Sequence, residues 1–176
     1  MAALTRIALI GAESTGKSIL AAELGQRLGA PVVQEFAREY ALRVQRNLDF
    51  FDVFPIARGQ MANEDAVIAA SPSRVVILDT DLMSTVAYSR HYWGVCPDWI
   101  EKAARERRAT LYLLMECDVP WVADRARDAS AKREDVHGEF VRVLKEMNAR
   151  SVSISGTWVE RRERAIEALR AATLIA

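Results

Sequence analysis

The sequence predicts a three-layer α/β fold, in which a doubly wound, parallel sheet of five strands is covered by helices on both faces. Short apolar runs, many of them β-branched, alternate along the chain with segments of helical periodicity. Such an alternation folds into parallel strands joined by right-handed crossovers, with ligands bound at the carboxyl ends of the strands. The predicted strands are residues 4–10, 31–34, 74–78, 110–115 and 151–154.

The first predicted strand leads directly into a phosphate-loop pattern, G-x-x-x-x-G-K-[ST], at residues 11–18. Its glycines allow consecutive backbone N–H groups to turn inward, where a helix is predicted to begin near Lys17. Lys17 is expected to contact the β- and γ-phosphates of a nucleotide, and the Ser18 hydroxyl to bind Mg²⁺. The residues predicted to contact the nucleotide are Gly11, Glu13, Ser14, Thr15, Gly16, Lys17 and Ser18.

Charged residues follow the second predicted strand. Glu35 stands where a carboxylate accepts hydrogen bonds from a substrate hydroxyl, and Arg38 follows about one helical turn later on the same face. The alternative for these two residues is an ordinary solvated ion pair, which contributes only roughly 0.3 kcal/mol. Their position at a strand end favours the functional interpretation.

Two aspartates follow the third predicted strand. Asp79 closes the strand beside the phosphate loop, where a carboxylate is the usual partner of Mg²⁺. If the chain stays extended, Asp81 points the same way as Asp79. It is then expected beside the molecule that accepts the phosphoryl group, where it orients or deprotonates the accepting hydroxyl. Its alternative role is the N-cap of a helix starting near Met83, and one side chain can serve both purposes.

A basic segment follows the fourth predicted strand. Arg125 and Arg127, with Arg133 beyond them, are predicted to close over the nucleotide and to neutralise charge on the transferring phosphoryl group. The charge pattern alone fits a solvated helix face equally well. Small polar residues at 128–135 form a candidate mobile loop, so a small lid is predicted around 120–135.

The remaining segments complete the alternation. Apolar residues from Val136 to Met147 recur at helical spacing. Thr157 and Glu160 form a capping box that opens the last predicted helix. No internal repeat or low-complexity segment is present, and residues 1–176 are predicted to form one domain.

The charge balance and the cysteine content limit which partners and which cellular compartment are expected. The chain has 24 basic and 24 acidic side chains, whereas nucleic-acid and anionic-membrane partners normally select a basic excess. No stretch approaches the roughly 20 apolar residues of a membrane span, and no signal-type segment precedes the phosphate loop. We expect a cytoplasmic protein with a small-molecule substrate, in which Cys96 and Cys117 are reduced; a disulfide is the alternative.

Four sequence elements together resemble a known family. They are residues 11–18, Glu-Phe-Ala-Arg-Glu-Tyr at 35–40, Asp-Thr-Asp at 79–81 and Pro-Trp-Val-Ala-Asp at 120–124. In this order they are similar to the ribosylnicotinamide kinases, the family of the kinase domain in the bifunctional NAD-biosynthesis protein NadR, over about residues 4–170. Many families share the phosphate loop, and the other three elements are much more specific as a set.

The resemblance implies a particular chemistry. It implies a P-loop nucleoside kinase fold, binding of ATP and Mg²⁺, and phosphorylation of the 5′-hydroxyl of nicotinamide riboside to give nicotinamide mononucleotide. The residues that it implies for substrate contact are Glu35, Arg38, Tyr40, Asp81 and Trp121. Two positions depart from the family's pattern, because Gln34 stands in place of an aromatic residue and Arg125 in place of glycine.

Other function classes stay open at this point. The nearest alternative is a kinase of another nucleoside or nucleotide, and a more distant one is a P-loop ATPase or nucleotide-dependent switch without a small-molecule acceptor. The sequence lacks the Asn-Lys-x-Asp element with which GTPases read guanine, and it has no room for the separate helical domain of ring-forming ATPases. Release of ADP that depends on an added acceptor distinguishes a kinase from the others.

Overall fold

The five strands form one parallel sheet in the order β2-β3-β1-β4-β5. The computed structural model describes residues 4–119 and 133–175. The strands are β1 (Thr5–Ile10), β2 (Val32–Val33), β3 (Val75–Asp79), β4 (Leu111–Met115) and β5 (Ser151–Ile154). The predicted fold class is therefore confirmed.

The predicted strand boundaries agree with the observed ones to within one residue at each end. The strand β2 is shorter than predicted because it lies at the edge of the sheet and pairs with β3 alone. Pro31, just before it, has no N–H to donate, although its carbonyl accepts from Ile77 at 3.0 Å. The strand β3 extends to Asp79 because that residue continues the ladder opposite Leu9.

Helices cover both faces of the sheet. One face carries α1 (Lys17–Leu28) and α7 (Trp158–Ala171). The other face carries α3 to α6, and α2 follows β2, leading into a short 3₁₀ turn. The bounds of these elements are α2 (Phe36–Val44), the 3₁₀ turn (Phe50–Asp52), α3 (Val53–Ala70), α4 (Leu82–Trp93), α5 (Asp98–Glu106) and α6 (Arg133–Glu146).

Successive residues of β1 alternate between the two layers. Ile7 and Leu9 belong to the apolar cluster beneath α1 and α7, and Ala8 and Ile10 to the cluster beneath α3 to α6. All four side chains are fully buried. A strand that is buried on both faces shows no polar alternation, which explains why the strands read as continuous apolar runs.

The carboxyl end of β1 is the switch point of the sheet. After β1 the chain crosses to β2 at one edge of the sheet, whereas the connections from β3 to β4 and from β4 to β5 run towards the other edge. Leu9 pairs with Asp79 on one side, and Ile10 pairs with Leu114 on the other. The phosphate loop that follows Ile10 therefore lies beside the ends of both neighbouring strands.

The end of the predicted lid is helical. Residues 133–135 form the first turn of α6, where the sequence predicted loop. Glu134 and Asp135 suit this position because the N-terminus of a helix carries a partial positive charge. The other residues of the predicted lid, 120–132, lie outside the described residues.

Two expectations concern the chain as a whole. Cys96 and Cys117 are both free thiols, as predicted. Within residues 4–119 and 133–175, no helix combines the length and the apolarity that a membrane crossing requires.

Candidate active site

The phosphate loop adopts a backbone that requires its two glycines. Gly11 has a φ of 135°, and a Cβ atom there would lie 2.7 Å from the carbonyl oxygen of Met115. Gly16 has a φ of 85°, and a Cβ atom would lie 2.2 Å from the ring of Trp158. Residues with side chains rarely adopt these backbone angles. The loop therefore depends on close approach of β4 on one side and of α7 on the other.

Lys17 is buried against the loop that precedes it. Its ammonium group donates to the carbonyl oxygens of Gly11 at 2.9 Å and Ala12 at 2.7 Å. The Thr15 hydroxyl donates to the Ala12 carbonyl at 2.8 Å. These bonds curl the loop around a positive charge, as a phosphate cradle requires, while the neighbouring Ser18 is exposed.

Glu13 adds a buried carboxylate to the loop. It is 2% exposed and accepts a hydrogen bond from the Tyr88 hydroxyl at 3.0 Å. Tyr88 belongs to α4, so this bond connects the loop to the helix that follows β3. Glu13 was predicted as a nucleotide contact, and nothing in the sequence pattern indicated its tyrosine partner.

Arg161 connects α7 to the loop. It is fully buried, and its guanidinium donates to the carbonyl oxygens of Thr15 at 3.1 Å, Glu116 at 3.1 Å and Gly156 at 2.8 Å. It also forms an ion pair with the carboxylate of Asp118. One side chain therefore joins the phosphate loop, the end of β4 and the turn before α7.

A cavity of about 310 Å³ adjoins the phosphate loop. Its lining consists of Ile19, Leu20, Glu23, Trp158 and Arg161. Trp158 is about half exposed, lies against Gly16, and has its ring centroid 5.8 Å from the guanidinium carbon of Arg161. The cavity thus has an aromatic wall next to the loop.

The two aspartates at the end of β3 have different surroundings. Asp79 ends the strand and is 2% exposed. The chain does not stay extended beyond it, because Thr80 has a φ of 74° and turns the chain inward. Asp81 consequently caps α4, with Oδ1 accepting from the Met83 N–H at 2.9 Å, and its Oδ2 accepts from the Tyr112 hydroxyl at 2.7 Å. The predicted alternative role of Asp81, as an N-cap, is therefore present.

Burial dominates the ionisation of Asp81. It raises the pKa of this carboxyl to about 7, and the hydrogen bond from Tyr112 opposes only part of the effect. Burial also raises the pKa of the Tyr112 hydroxyl, and the nearby Asp81 charge adds to that shift. A carboxyl of this pKa is about half protonated in neutral solution.

A buried glutamine connects the ends of β2 and β3. Gln60 of α3 accepts from the Phe36 N–H at 2.9 Å, and its amide group donates to the Thr80 carbonyl at 3.4 Å. Phe36 follows Glu35, which is half-buried at the N-cap position of α2. Gln60 thereby links the backbone next to Glu35 to the backbone between Asp79 and Asp81, two strand ends that the sequence predicted only separately.

The helix α2 carries two further residues that were predicted to contact the substrate. Arg38 is exposed, whereas Tyr40 is partly buried and its hydroxyl donates to Asp52 at 2.8 Å. Arg46 pairs with the same carboxylate at 2.6 Å, and this contact lowers the pKa of Asp52 to about 2. The Tyr40 hydroxyl is therefore bound to the turn after α2 in this arrangement.

The predicted lid residues are described only in part. Trp121, Arg125 and Arg127 lie outside the described residues. Arg133 is described and is 5% exposed at the start of α6, where Nη1 donates to the Val119 carbonyl at 3.2 Å. Arg133 therefore lies buried in a helix and not in the loop predicted at 128–135, and its predicted contact with the nucleotide stays a prediction.

Sequence reasoning missed three residues that shape the site. Gln60, Tyr88 and Arg161 each lie within a helix and reach the site through tertiary contacts, so no local motif marks them. For Arg161 alone, the sequence contains an indirect local signal. The capping box of Thr157 and Glu160 is present, and it fixes the start of the helix that carries Arg161.

Comparison with known proteins identifies a matching family model and two similar proteins. A family model described as an AAA domain matches residues 6–162. The trifunctional NAD biosynthesis/regulator proteins NadR of Salmonella typhimurium and Escherichia coli are each 29% identical to this chain over 154 residues. The match covers 84% of this chain and 37% of each relative. The chain therefore spans little more than a third of the length of these relatives.

Solved structures share the fold. A crystal structure of NadR protein in complex with NAD and AMP-PNP has a TM-score of 0.81 at 24% identity, and one in complex with NR has a TM-score of 0.77. Both matches cover 98% of this chain and 50% of the other chain. Thymidylate kinase from Ehrlichia chaffeensis has a TM-score of 0.72 at 15% identity, over 96% of this chain and 100% of that chain.

Proposed function

We propose that this chain, which belongs to the AAA domain family, is an ATP- and Mg²⁺-dependent kinase. It phosphorylates the 5′-hydroxyl of nicotinamide riboside and gives nicotinamide mononucleotide. The observation that carries the proposal is a complete phosphate loop beside two strand ends that bear carboxylates and whose backbones Gln60 links, at Phe36 next to Glu35 and at Thr80 between Asp79 and Asp81. The similarity to NadR over 84% of this chain supports the choice of acceptor.

The donor groups beside the loop fit a Mg²⁺ ion. Ser18 exposes a hydroxyl at the start of α1, and Asp79 brings a carboxylate to the end of the neighbouring strand. Hard oxygen ligands of this kind, completed by phosphate oxygens and water, suit Mg²⁺. In the part of the chain that the structure describes, no group of three or more His, Cys, Asp or Glu side chains could hold a metal by itself. When bound, the ion offsets the negative charge of the phosphates.

The phosphate loop and α7 are proposed to bind ATP. The backbone N–H groups of the loop and the ammonium group of Lys17 hold the phosphates and stabilise the charge that develops during transfer. The adenine base lies in the cavity beside the loop, where the exposed ring of Trp158 offers an aromatic surface.

Glu35 is proposed to orient the acceptor hydroxyl and to accept its proton. It is half-buried at the N-cap of α2, next to the backbone that Gln60 holds. Asp81 is the weaker candidate because it is only 5% exposed and both of its carboxylate oxygens already accept a hydrogen bond, from the Met83 N–H and from the Tyr112 hydroxyl. The other predicted substrate and lid contacts, which remain part of the proposal, are Arg38, Tyr40, Trp121, Arg125 and Arg127.

A coupled assay of ADP release tests the proposal. Purified protein with Mg-ATP is given nicotinamide riboside or one of a panel of other nucleosides, and the product is identified by mass spectrometry. We expect ADP release that depends on the riboside and a mononucleotide product. Release that is independent of any acceptor would contradict the kinase assignment. Turnover of another nucleoside with none of the riboside would contradict the choice of acceptor alone.

A kinase of another nucleoside is the second candidate. Gln34 is exposed after β2, at the position where the ribosylnicotinamide kinases that the sequence resembles are expected to carry an aromatic residue. Nicotinamide then needs another stacking partner, such as Phe36, Tyr40 or Trp121. The same panel of nucleosides distinguishes the two candidates.

A further inference from the structure

Arg161 binds an unusual set of acceptors for a buried cation. Three of them are backbone carbonyl oxygens, and they belong to the phosphate loop, the end of β4 and the turn before α7. The fourth is the Asp118 carboxylate, whose second oxygen accepts the Gly156 N–H at 2.6 Å. The charge is therefore paired, and most of the guanidinium's hydrogen-bonding capacity is spent on backbone.

The bond to Thr15 fixes one peptide group of the phosphate loop. In a trans peptide the carbonyl oxygen and the following N–H point in opposite directions. Since Arg161 holds the Thr15 oxygen at 3.1 Å, the Gly16 N–H points away from the guanidinium. On the other side of this residue, the Gly16 carbonyl accepts from the Leu20 N–H at 3.1 Å, which α1 fixes.

This restraint acts at one of the two glycines of the loop. Glycine has more accessible backbone conformations than other residues, so ordering it costs the most entropy. When the fold orders the peptide before the ligand arrives, that cost no longer reduces the binding affinity.

We propose that Arg161 is a positioning residue for phosphate binding, which holds the Thr15–Gly16 peptide so that the Gly16 N–H is presented to the bound phosphate. Arg161 acts on the phosphate through the loop backbone, because its guanidinium bonds run to Thr15, Glu116, Gly156 and Asp118. The inference rests on the proposed function only in that the loop binds phosphate, and it is independent of the acceptor.

Pyrophosphate is the probe for the test because it carries phosphate without base, ribose or acceptor. Its dissociation constant is measured by calorimetry, with Mg²⁺ present, for the parent protein and for Arg161→Met, Arg161→Lys and Arg162→Met. Arg162 is the exposed neighbour on the same helix and serves as the matched control. For Arg161→Met we expect the dissociation constant to rise roughly tenfold or more. The dissociation constant of Arg161→Lys is expected to lie between those of the parent protein and Arg161→Met, because an ammonium group cannot reach all the acceptors of the guanidinium. The dissociation constant of the control, Arg162→Met, is expected to equal that of the parent protein.

Amide hydrogen exchange separates positioning from general stability. In the Arg161 variants we expect faster exchange in the peptide covering residues 11–18 and unchanged protection of the central strands. The KM for ATP rises while the KM for the acceptor stays constant. If Arg161→Met does not fold, Arg161→Lys carries the same comparison.

Two results would overturn the inference. One is an unchanged pyrophosphate affinity in the Arg161 variants, and the other is a loss of protection spread over the whole sheet. Failure of the acceptor assay leaves the pyrophosphate result intact, so the two proposals are tested separately.

Discussion

The proposed nucleotide side and the proposed acceptor side of the site are held by the fold to different degrees. On the nucleotide side, Thr15, Lys17 and Arg161 are all buried and hydrogen-bonded to the loop or to the strand beside it. On the acceptor side, no residue of α2 is buried. Gln60 binds the backbone at the start of that helix. Asp52 accepts hydrogen bonds from Tyr40 of the helix and from Arg46, which follows the helix.

The difference matches the chemistry of the two ligands. Phosphate groups are the same in every nucleoside triphosphate, so a preorganised cradle serves them well. A segment with little buried apolar surface opens at a low free energy and can close around a bound molecule. The loosely packed side is therefore the one that can adapt to its substrate.

The strongest way to break this comparison is to remove the charge of the nucleotide side. Lys17→Ala is expected to lower kcat by about 10³-fold or more while the protein still folds, because the ammonium group acts on phosphates. Steady-state kinetics with circular dichroism checks this. Retained turnover in a folded variant would show that the loop is not the nucleotide site.

On the acceptor side, Glu35→Gln is expected to lower kcat/KM for the acceptor by roughly 10²-fold, because a group that accepts a proton in the transition state is lost. Its effect on ATP affinity is expected to be small. Glu39→Gln, on the same helix and exposed, is the matched control. Equal kinetics of the Glu35 and Glu39 variants would remove Glu35 from the reaction.

Asp81 allows a test through stability. Because the pKa of Asp81 is raised from 3.8 to about 7 in the folded protein, its contribution to folding is fully present below about pH 4 and is lost as the pH rises to about 7. Asp81→Asn lacks this titration. The free energy of unfolding of the parent, relative to the variant, is therefore expected to fall by about 4 kcal/mol across that range. Urea titrations at several pH values measure it, and parallel curves would contradict the raised pKa.

Asp79→Asn tests the proposed role of Asp79 as a ligand of Mg²⁺. We expect the Mg²⁺ concentration required for half-maximal nucleotide binding to rise roughly tenfold, since a neutral amide binds Mg²⁺ less well than a carboxylate. The Mg²⁺ titration is compared with that of the parent protein. Superimposable titrations would give Asp79 a structural role only.

The smallest effect is expected on the outer surface of α2. Leu42 is 64% exposed, so Leu42→Ala should change the free energy of unfolding by less than about 0.5 kcal/mol. Leu24→Ala on α1, at 1% exposure, is the matched contrast and should cost roughly 2 to 5 kcal/mol. Similar losses in urea unfolding would mean that α2 is packed as firmly as α1.

Local patterns were sufficient to predict the fold and the loop. Apolar runs located all five strands because parallel strands are buried on both faces. The positions of Gly11 and Gly16 identified the phosphate loop, since backbone angles and close contacts leave no room for other residues there. The capping box at Thr157 fixed the start of α7 in the same way.

The parts that were not predicted depend on contacts between distant segments. A positive φ at Thr80 turned Asp81 inward, and no feature of the sequence around it marks that turn. The Gln60 bridge joins α3 to the ends of two strands and exists only in the assembled fold. Charge alone likewise could not distinguish Arg133, which is buried in the first turn of α6, from a residue of the predicted loop.

The bond between Arg161 and Thr15 also has a consequence for protein synthesis. The two residues are 146 positions apart, although they support the same loop. A chain emerging from the ribosome contains the whole phosphate-loop motif long before the helix that completes its support has been made. The nascent protein is therefore expected to gain full nucleotide affinity only after α7 has docked, which is a late, long-range step in folding.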